Sequence, residues 1–345
     1  MEIERPNLDI IDPATRAYIE ALEAEIEQLR QGKKASRHGA AAEEPAEPSE
    51  PPTTVSVITI SGSGLVKRTP RHHYSHQRRG GMGVFDLQTP EDDPPALLAA
   101  ADEGESLVVV TDQARAFRLP VSKLPESPVH SRGQPLATLL DLNAGERPTV
   151  ALSGQGGAYV AILSERGHVH WMAGHLLGEK LLPGTLLYDI KELGAPVAAC
   201  WTPGDDDLFI ATRRGLAIRF AARQVPMRGC PGLRLERDDG AVAIAAVRED
   251  SGVFLLSADG KGSTRLMSGF RANKSPGGGG KAALKTDCLI GAATVSEGDD
   301  VFAISRLGKI IRFQAAEVPP KEGVVQGVNC MALRADEVAA LAVSR

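Results

Sequence analysis

The 345-residue chain carries 39 Lys and Arg against 44 Asp and Glu, a formal net charge of −5. Hydrophobic residues make up 42%, enough for a substantial core, while aromatics are only 4% and glycine and proline number 36 and 23, a mixture that favours many short strands and turns over long helices. The four cysteines are scattered without a C-x-x-C pair, which argues against a disulfide framework or zinc site; the acidic N-terminus lacks a secretory core, and no run of 18 apolar residues could cross a membrane as a helix, so a cytoplasmic protein is expected.

Residues 12–31, DPATRAYIEALEAEIEQLRQ, predict a helix. Asp12 can cap the free N–H groups and Pro13 suits the first helical position. Ile19, Leu22, Ile26 and Leu29 recur at spacings of 3, 4 and 3, a narrow coiled-coil-like seam. An isolated helix of this length is marginal in water. It therefore docks on its own domain or pairs with a second copy in a homodimer, and both readings stand. Residues 32–54 are polar and rich in Pro and Glu, which predicts a disordered linker.

From residue 55 to 345 a pattern repeats six times. Each unit holds an apolar run, a polar turn and a second run carrying Arg or Lys: VSVITISGSGLVKRT (55–69), LVVVTDQARAFRL (107–119), YVAILSERGHVHW (159–171), LFIATRRGLAIRF (208–220), VFLLSADGKGSTRL (253–266) and VFAISRLGKIIRF (301–313). Successive starts lie about 45 to 52 residues apart, a period that points to a propeller-like array. The turn holds Gly64, Ala114, Gly167, Gly215, Gly260 or Gly308, where a tight hairpin needs positive φ. Four residues later stand Arg68, Arg118, Trp171, Arg219, Thr264 and Arg312. A Gly-containing loop, a short strand such as GLRL (232–235) or NCMAL (329–333), and a fourth strand complete each unit. One four-stranded unit cannot bury both faces of its sheet, so the expected fold is all-β: a closed ring of six blades.

Charge follows the same period. Lys67, Arg68, Arg71, Arg78 and Arg79 occupy residues 61–85 without an acid; the fourth unit contributes Arg213, Arg214, Arg219, Arg223 and Arg228; the fifth has Lys261, Arg265, Arg271, Lys274, Lys281 and Lys285. Acids cluster elsewhere, at 91–93, 205–207 and 297–300, and the third unit is balanced. Equal phase in a ring means equal height and radius. A basic belt that attracts phosphates is therefore expected despite the negative total. The contrary reading, a merely solvated face, is the default for isolated surface cations.

The stretch Gln77-Arg78-Arg79-Gly80-Gly81-Met82-Gly83 resembles, at six of seven positions, the Q-R-R-G-G-K-G box of the DNA gyrase A C-terminal domain and of its topoisomerase IV relative. GLVKRTP (64–70), and TRRGLAIRF followed by VPMRGCPGLRL in the fourth unit, are similar to segments of the same family. The resemblance implies a six-bladed β-pinwheel whose rim binds and wraps double-stranded DNA without reading its sequence. It places DNA contacts at Lys67, Arg68, Arg71, Gln77, Arg78, Arg79, Gly80, Gly81, Gly83, Arg118, Arg213, Arg214, Arg219, Arg228, Arg265, Lys281 and Arg312. A rival reading makes the box a latch between blades, held by backbone hydrogen bonds. Met82 stands where the family has Lys, and the third and fifth units depart from the pattern at GHVHWMA and SPGGGGKAAL.

Only 54 residues precede the first repeat, and no Arg-Tyr pair of a cleavage region stands among them, so a free-standing, non-enzymatic, nucleoid-associated module is expected, acting alone or with gyrase or topoisomerase subunits. The alternative is a protein-interaction propeller without DNA binding. Neither His72, His73 and His76 nor His168, His170 and His175 come with the acids or thiolates of a metal site. SPGGGG (275–280) lacks the Gly-Lys-Ser/Thr ending of a phosphate loop. No metal and no cofactor are expected.

Overall fold

The computed structural model describes residues 50–154 and 156–345, together with Thr15, Arg16 and Ile19. Two compact units are distinguished, Met1–Glu47 and Pro48–Arg345. In the first, the three described residues are helical; the remainder of the predicted helix 12–31, with its seam, and residues 32–49 of the predicted linker lie outside the described residues. Residues 50–54 depart from the linker reading. Glu50 accepts hydrogen bonds from Arg71 and Arg312, and Thr53 N donates to His72 Nδ1, so this segment is packed within the second unit.

The repeats supply strands in chain order. Unit 1 has β1 (Val55–Ser61), β2 (Leu65–Pro70), β3 (Val84–Phe85) and β4 (Pro95–Asp102); unit 2 has β5 (Ser106–Thr111), β6 (Arg115–Pro120), β7 (Gln134–Pro135) and β8 (Pro148–Ser153). Unit 3 has β9 (Tyr159–Ser164), β10 (His168–Ala173), β11 (Thr185–Leu186) and β12 (Pro196–Thr202). Unit 4 has β13 (Asp207–Thr212), β14 (Leu216–Ala221), β15 (Cys230–Pro231), β16 (Leu233–Arg234) and β17 (Ala241–Val247). Unit 5 has β18 (Gly252–Ser257), β19 (Lys261–Leu266), β20 (Gly278–Gly279), β21 (Lys281–Ala282) and β22 (Leu289–Val295). Unit 6 has β23 (Asp300–Ser305), β24 (Lys309–Gln314), β25 (Pro320–Lys321), β26 (Val328–Asn329) and β27 (Val338–Ser344).

Among the described residues these strands form six blades. The inner strands β4, β8, β12, β17, β22 and β27 neighbour one another in that order, and β27 returns to β4. They enclose an axial channel of about 870 Å³ lined largely by small side chains such as Ala99, Ala151, Ala245, Ala293 and Ala342. Each blade contributes alternate residues to two apolar layers, one against each neighbour. Ile58 and Ile60 of β1 meet Leu107 and Val109 of β5, whereas Val57 meets Phe302 and Ile304 of β23. β1, β5 and β18 are buried on both faces almost throughout, so their runs are largely apolar, and the polar Ser56, Thr59, Ser106 and Ser257 within them are buried as well.

The hairpins follow the expected turn chemistry. Gly64, Gly167, Gly215, Gly260 and Gly308 all have positive φ, and Ala114 adopts the same conformation at φ 55°. Ser61, Thr111, Ser164 and Ser305 close their turns by accepting a hydrogen bond from the backbone N–H four residues on.

The outermost strand departs from the expected plan. It does not stay in its own blade. The sheets run β4-β1-β2-β7, β8-β5-β6-β11, β12-β9-β10-β15, β17-β13-β14-β21, β22-β18-β19 with β26 on β19, and β27-β23-β24-β3. Each unit thus lends its outer strand to the preceding blade, and unit 1 lends β3 to the last. The register is the same throughout: Phe85 faces Lys309, Pro135 Leu65, Leu186 Arg115, Pro231 His168, Ala282 Leu216 and Asn329 Lys261. In every case the partner is the first residue after the hairpin turn.

Candidate nucleic-acid interface

The box Gln77–Gly83 leads into β3, so it lies against the sixth blade. Gln77 N donates to Arg312 O at 2.8 Å, Gly80 N to Cys330 O at 2.8 Å, and Ala332 N to Gly81 O at 2.9 Å. Arg79 is half-buried; its backbone N–H donates to Glu317 Oε2, and its guanidinium to the carbonyls of Glu317 and Asn329. Gln77 Oε1 accepts from Gly83 N. Gly83 has φ +70°, and a Cβ there would sit 2.5 Å from Ile310 O of β24. Gln77, Arg79, Gly80, Gly81 and Gly83 are therefore parts of a ring-closing latch, as the rival sequence reading holds. Arg78 and Met82 are the exceptions. Both are exposed, and the Arg78 side chain has no partner among the described residues.

The Arg column is real in register. Arg68, Arg118, Trp171, Arg219, Thr264 and Arg312 each pair with the residue three places before the end of their blade's first strand. Three of its arginines are nevertheless buried and bonded between blades, which departs from the expectation of a rim track. Arg312 is 2% exposed and binds Asp300, Glu50 and the carbonyls of Arg71 and Tyr74 in unit 1. Arg219 is 4% exposed and binds Asp207, Glu249 and the carbonyls of Met267 and Phe270 in unit 5. Arg68 is buried and donates to Leu124 O in unit 2. The physical reason is shared. An arginine between blades finds carbonyls in the loop of the next unit, and a forked guanidinium can satisfy several at once. Trp171 fills the same place by stacking on Tyr159, with ring centroids 5.0 Å apart. Arg118 alone among these column arginines is exposed and unpartnered among the described residues.

Three further expected contacts are also taken up by the fold. Lys67 is 1% exposed and bonds to Asp86 Oδ1 and to the carbonyls of Asp86 and Pro128. Burial lowers its amine below the ordinary lysine range, and Asp86 opposes that shift. Arg71 is half-buried and bonded to Glu50, Ser344 and the Arg345 carbonyl. Arg265 is 6% exposed beside Phe270, and its Nε and one terminal nitrogen are buried without partners among the described residues.

Arg213 and Arg214 are exposed at the β13–β14 turn; Arg214 lies 3.8 Å from Glu236, a solvent-screened pair of little energetic weight. Arg228 is exposed directly before Gly229. Lys281 is exposed on β21 and donates to Arg271 O.

A second column went unread in the sequence. Gly83, Gly133, Gly184, Gly229, Gly280 and Gly327 each precede an outer strand and press on the second strand or its side chains. The residue before this glycine is Met82, Arg132, Pro183, Arg228, Gly279 or Gln326. Arg132 and Arg228 are thus equivalent, both exposed, and both at the place of Met82. The R-G pairs at 132–133 and 228–229 were the available signal. Exposed Arg223, Arg271 and Lys274 extend the outer-loop cations of units 4 and 5.

The histidine pair of unit 3 is structural. His168 and His170 share one face of β10, and His170 lies 5.3 Å from the Tyr188 ring. Their Nδ1 atoms and the Tyr188 hydroxyl are buried without partners among the described residues. Burial lowers both imidazoles below the ordinary 6.5. Above that value both folded and unfolded forms are neutral. Below it the unfolded chain takes up protons that the folded chain refuses, so stability falls as pH falls. Thermal unfolding followed from pH 8 to 5 should show that loss below pH 6.5, reduced in His170→Phe, which keeps the ring against Tyr188. Among the described residues no group of three His, Cys, Asp or Glu could hold a metal.

The geometry defines a circularly strand-exchanged six-bladed propeller with cations on its outer loops. The family model described as DNA gyrase C-terminal domain, beta-propeller, matches residues 56–93, 105–147, 206–248 and 299–321, so the chain is similar to this family in four of its six units. The third and fifth units, which depart from the pattern in sequence, fall outside the matched segments. The DNA gyrase A protein of Chlamydia muridarum (strain MoPn / Nigg) is 28% identical over 294 residues, 81% of this chain and 35% of the relative. That of Mycolicibacterium smegmatis (strain ATCC 700084 / mc(2)155) is 27% identical over 293 residues, 80% and 34%. The chain thus spans about a third of the length of the curated relatives it matches. A solved DNA gyrase A C-terminal domain superposes with a TM-score of 0.76 at 18% identity, over 84% of this chain and all of that one. The C-terminal domain of DNA topoisomerase IV gives 0.58 at 17% identity, over 85% and 94%. At these identities the two structures show the shared fold.

Proposed function

We propose that this chain binds double-stranded DNA through its phosphates, without reading sequence, and bends the duplex against its outer loops. It does so as a non-catalytic module, and its partner class is a type IIA topoisomerase. The observation that carries this reading is the repeated placement of exposed arginines beside the outer strand: Arg132 and Arg228 at equivalent positions, and Arg78 within the box. The latch fixes the backbone that carries Arg78, and a forked guanidinium on a fixed backbone suits a phosphate oxygen pair. Bending a 20–30 bp segment by 40–90° costs on the order of 1–6 kcal/mol, which the phosphate contacts must offset.

A gel shift with relaxed plasmid over a salt series tests it. Binding should weaken steeply with salt. In the triple variant Arg78→Ala, Arg132→Ala, Arg228→Ala the slope of log K against log salt should shrink by about 0.9 per lost contact. An unchanged slope with an intact fold would overturn the assignment. Relaxing plasmid with a nicking-closing enzyme in the presence of the protein reports whether bending constrains writhe.

A further inference from the structure

Unit 2 departs from the box of unit 1 at one side chain, and a cavity lies beside the change. Gln77, Ser127 and Asn273 hold one structural position. Each donates its backbone N–H to the carbonyl of the column arginine in the preceding blade: Gln77 to Arg312 at 2.8 Å, Ser127 to Arg68 at 2.8 Å and Asn273 to Arg219 at 2.6 Å. In units 1 and 5 this position carries an amide side chain, and in unit 2 only a hydroxymethyl group. Gly83 and Gly133 follow six residues after Gln77 and Ser127. Next come Val84 and Gln134, which face Ile310 and Val66 in the same register. Gln77 Oε1 turns back to accept from Gly83 N. Ser127 is too short to do so, and its Oγ meets Pro125 O at 3.5 Å. A cavity of about 90 Å³ stands there, its lining including Val66, Arg68, Leu124, Ser127, Arg132 and Gln134. One water takes about 30 Å³ in the liquid, so the space admits the head of a small polar group.

We infer that this cavity is a seat for a single phosphate group. Its polar side chains are all able to donate: two guanidinium groups, the Ser127 hydroxyl and the Gln134 amide. Among the described residues no Asp or Glu lines it. Gln134 Nε2 is buried without a partner among the described residues. Such a donor calls for an acceptor, because its lost hydration is otherwise unreplaced. Arg68 is 6% exposed and spends its Nε on Leu124 O, while Glu103 approaches a terminal nitrogen at 3.5 Å. Glu103 and Glu126, the neighbouring acids, are exposed and outside the lining, where water and salt screen them. Arg132 both lines the cavity and is exposed, so it joins the seat to solvent. Charge-assisted bonds from guanidinium and amide nitrogens suit phosphate oxygens. The inference deepens the DNA reading and rests on it for the duplex as a source of the phosphate. Inorganic phosphate is the other source of the same chemistry.

Equilibrium dialysis of radiolabelled inorganic phosphate against the full chain at low salt counts the seats. Ser127→Gln places the unit 1 side chain in the cavity. Gln134→Val places there the residue that unit 1 has at Val84, and removes the unpartnered donor. Circular dichroism checks that both variants keep the fold. The unaltered chain should show one saturable seat that Ser127→Gln lacks. Gln134→Val should weaken that seat about tenfold, the loss expected for one hydrogen bond to a charged group. If Ser127→Gln fails to fold, Gln134→Val carries the test by itself. No saturable seat in the unaltered chain, or a seat indifferent to the substitutions, overturns the inference. A gel shift over a salt series then tells the source. A slope of log K against log salt that shrinks by about 0.9 in Ser127→Gln means that a backbone phosphate enters the seat. An unchanged slope beside the lost seat means that it holds the free anion, and DNA binding stands on the outer arginines. A filled seat in a chain that binds no duplex removes the DNA reading alone.

Discussion

Arg312→Ala is expected to destabilise the ring by about 3–5 kcal/mol, because it leaves a buried carboxylate without its counter-charge. Asp300 is 7% exposed and would be left with its contact to His76. The same truncation frees the carbonyls of Arg71 and Tyr74, which belong to the first unit and lie on the seam where the ring closes. Arg312→Lys should recover only part of the loss. A lysine keeps the charge but cannot reach Asp300, Glu50 and two carbonyls from one plane. Arg118→Ala is the matched control, since Arg118 occupies the same register position in blade 2 but is exposed and unpartnered among the described residues. It should change stability by less than about 0.5 kcal/mol while lowering affinity for DNA. Chemical denaturation of the three variants, read beside a gel shift, separates an arginine that ties blades from one that faces a ligand. Equal stability losses at both positions would contradict that division.

Gly83→Val should prevent β3 from seating on the last blade. The first side-chain carbon would lie 2.5 Å from Ile310 O and 2.9 Å from its carbonyl carbon, both backbone atoms that cannot turn aside. Positive φ adds strain of about 1–2 kcal/mol for a residue with a side chain, and for a β-branched one more. With β3 displaced, the latch bonds from Gly80 to Cys330 and from Arg79 to Glu317 are lost together, and the β24 edge is bared. A bare edge strand pairs with other chains, so oligomers or aggregates should accompany the loss. Gly298→Ala is the control: open space surrounds it and no positive φ constrains it. Size-exclusion chromatography with hydrogen exchange at Lys309–Gln314 reads the outcome. A monomeric Gly83→Val ring with a protected β24 would show that closure does not depend on this contact.

The fold was legible because the repeat is strict where packing is strict. Turn residues, apolar runs and the arginine column all recur at one phase, and the structure preserves that phase as a common register. The loan of outer strands was not legible, since a two-residue strand such as Val84–Phe85 carries no information about which sheet accepts it. The inward arginines were misassigned because a charged residue on a hairpin reads as surface by default. A corrective signal was nevertheless present. Asp207 stands 12 residues before Arg219, Asp300 12 before Arg312, and Tyr159 12 before Trp171, a spacing that brings each pair together across a hairpin. The box was half-legible. Its glycines announce close approach, but whether to a phosphate or to Ile310 O depends on a neighbour about 230 residues away.

The uniform offset of one blade between donor and acceptor constrains how such a chain can change over time. Excising any whole repeat at equivalent points leaves every remaining donor an acceptor in the same register, so strand pairing survives a change in repeat number, and what must refit is the angle between neighbouring blades all round the closed ring. A break between the second strand of a repeat and its outer strand is different, because it orphans a blade belonging to its neighbour. Gain and loss of modules is thereby tolerated in complete periods and resisted in fractions of one.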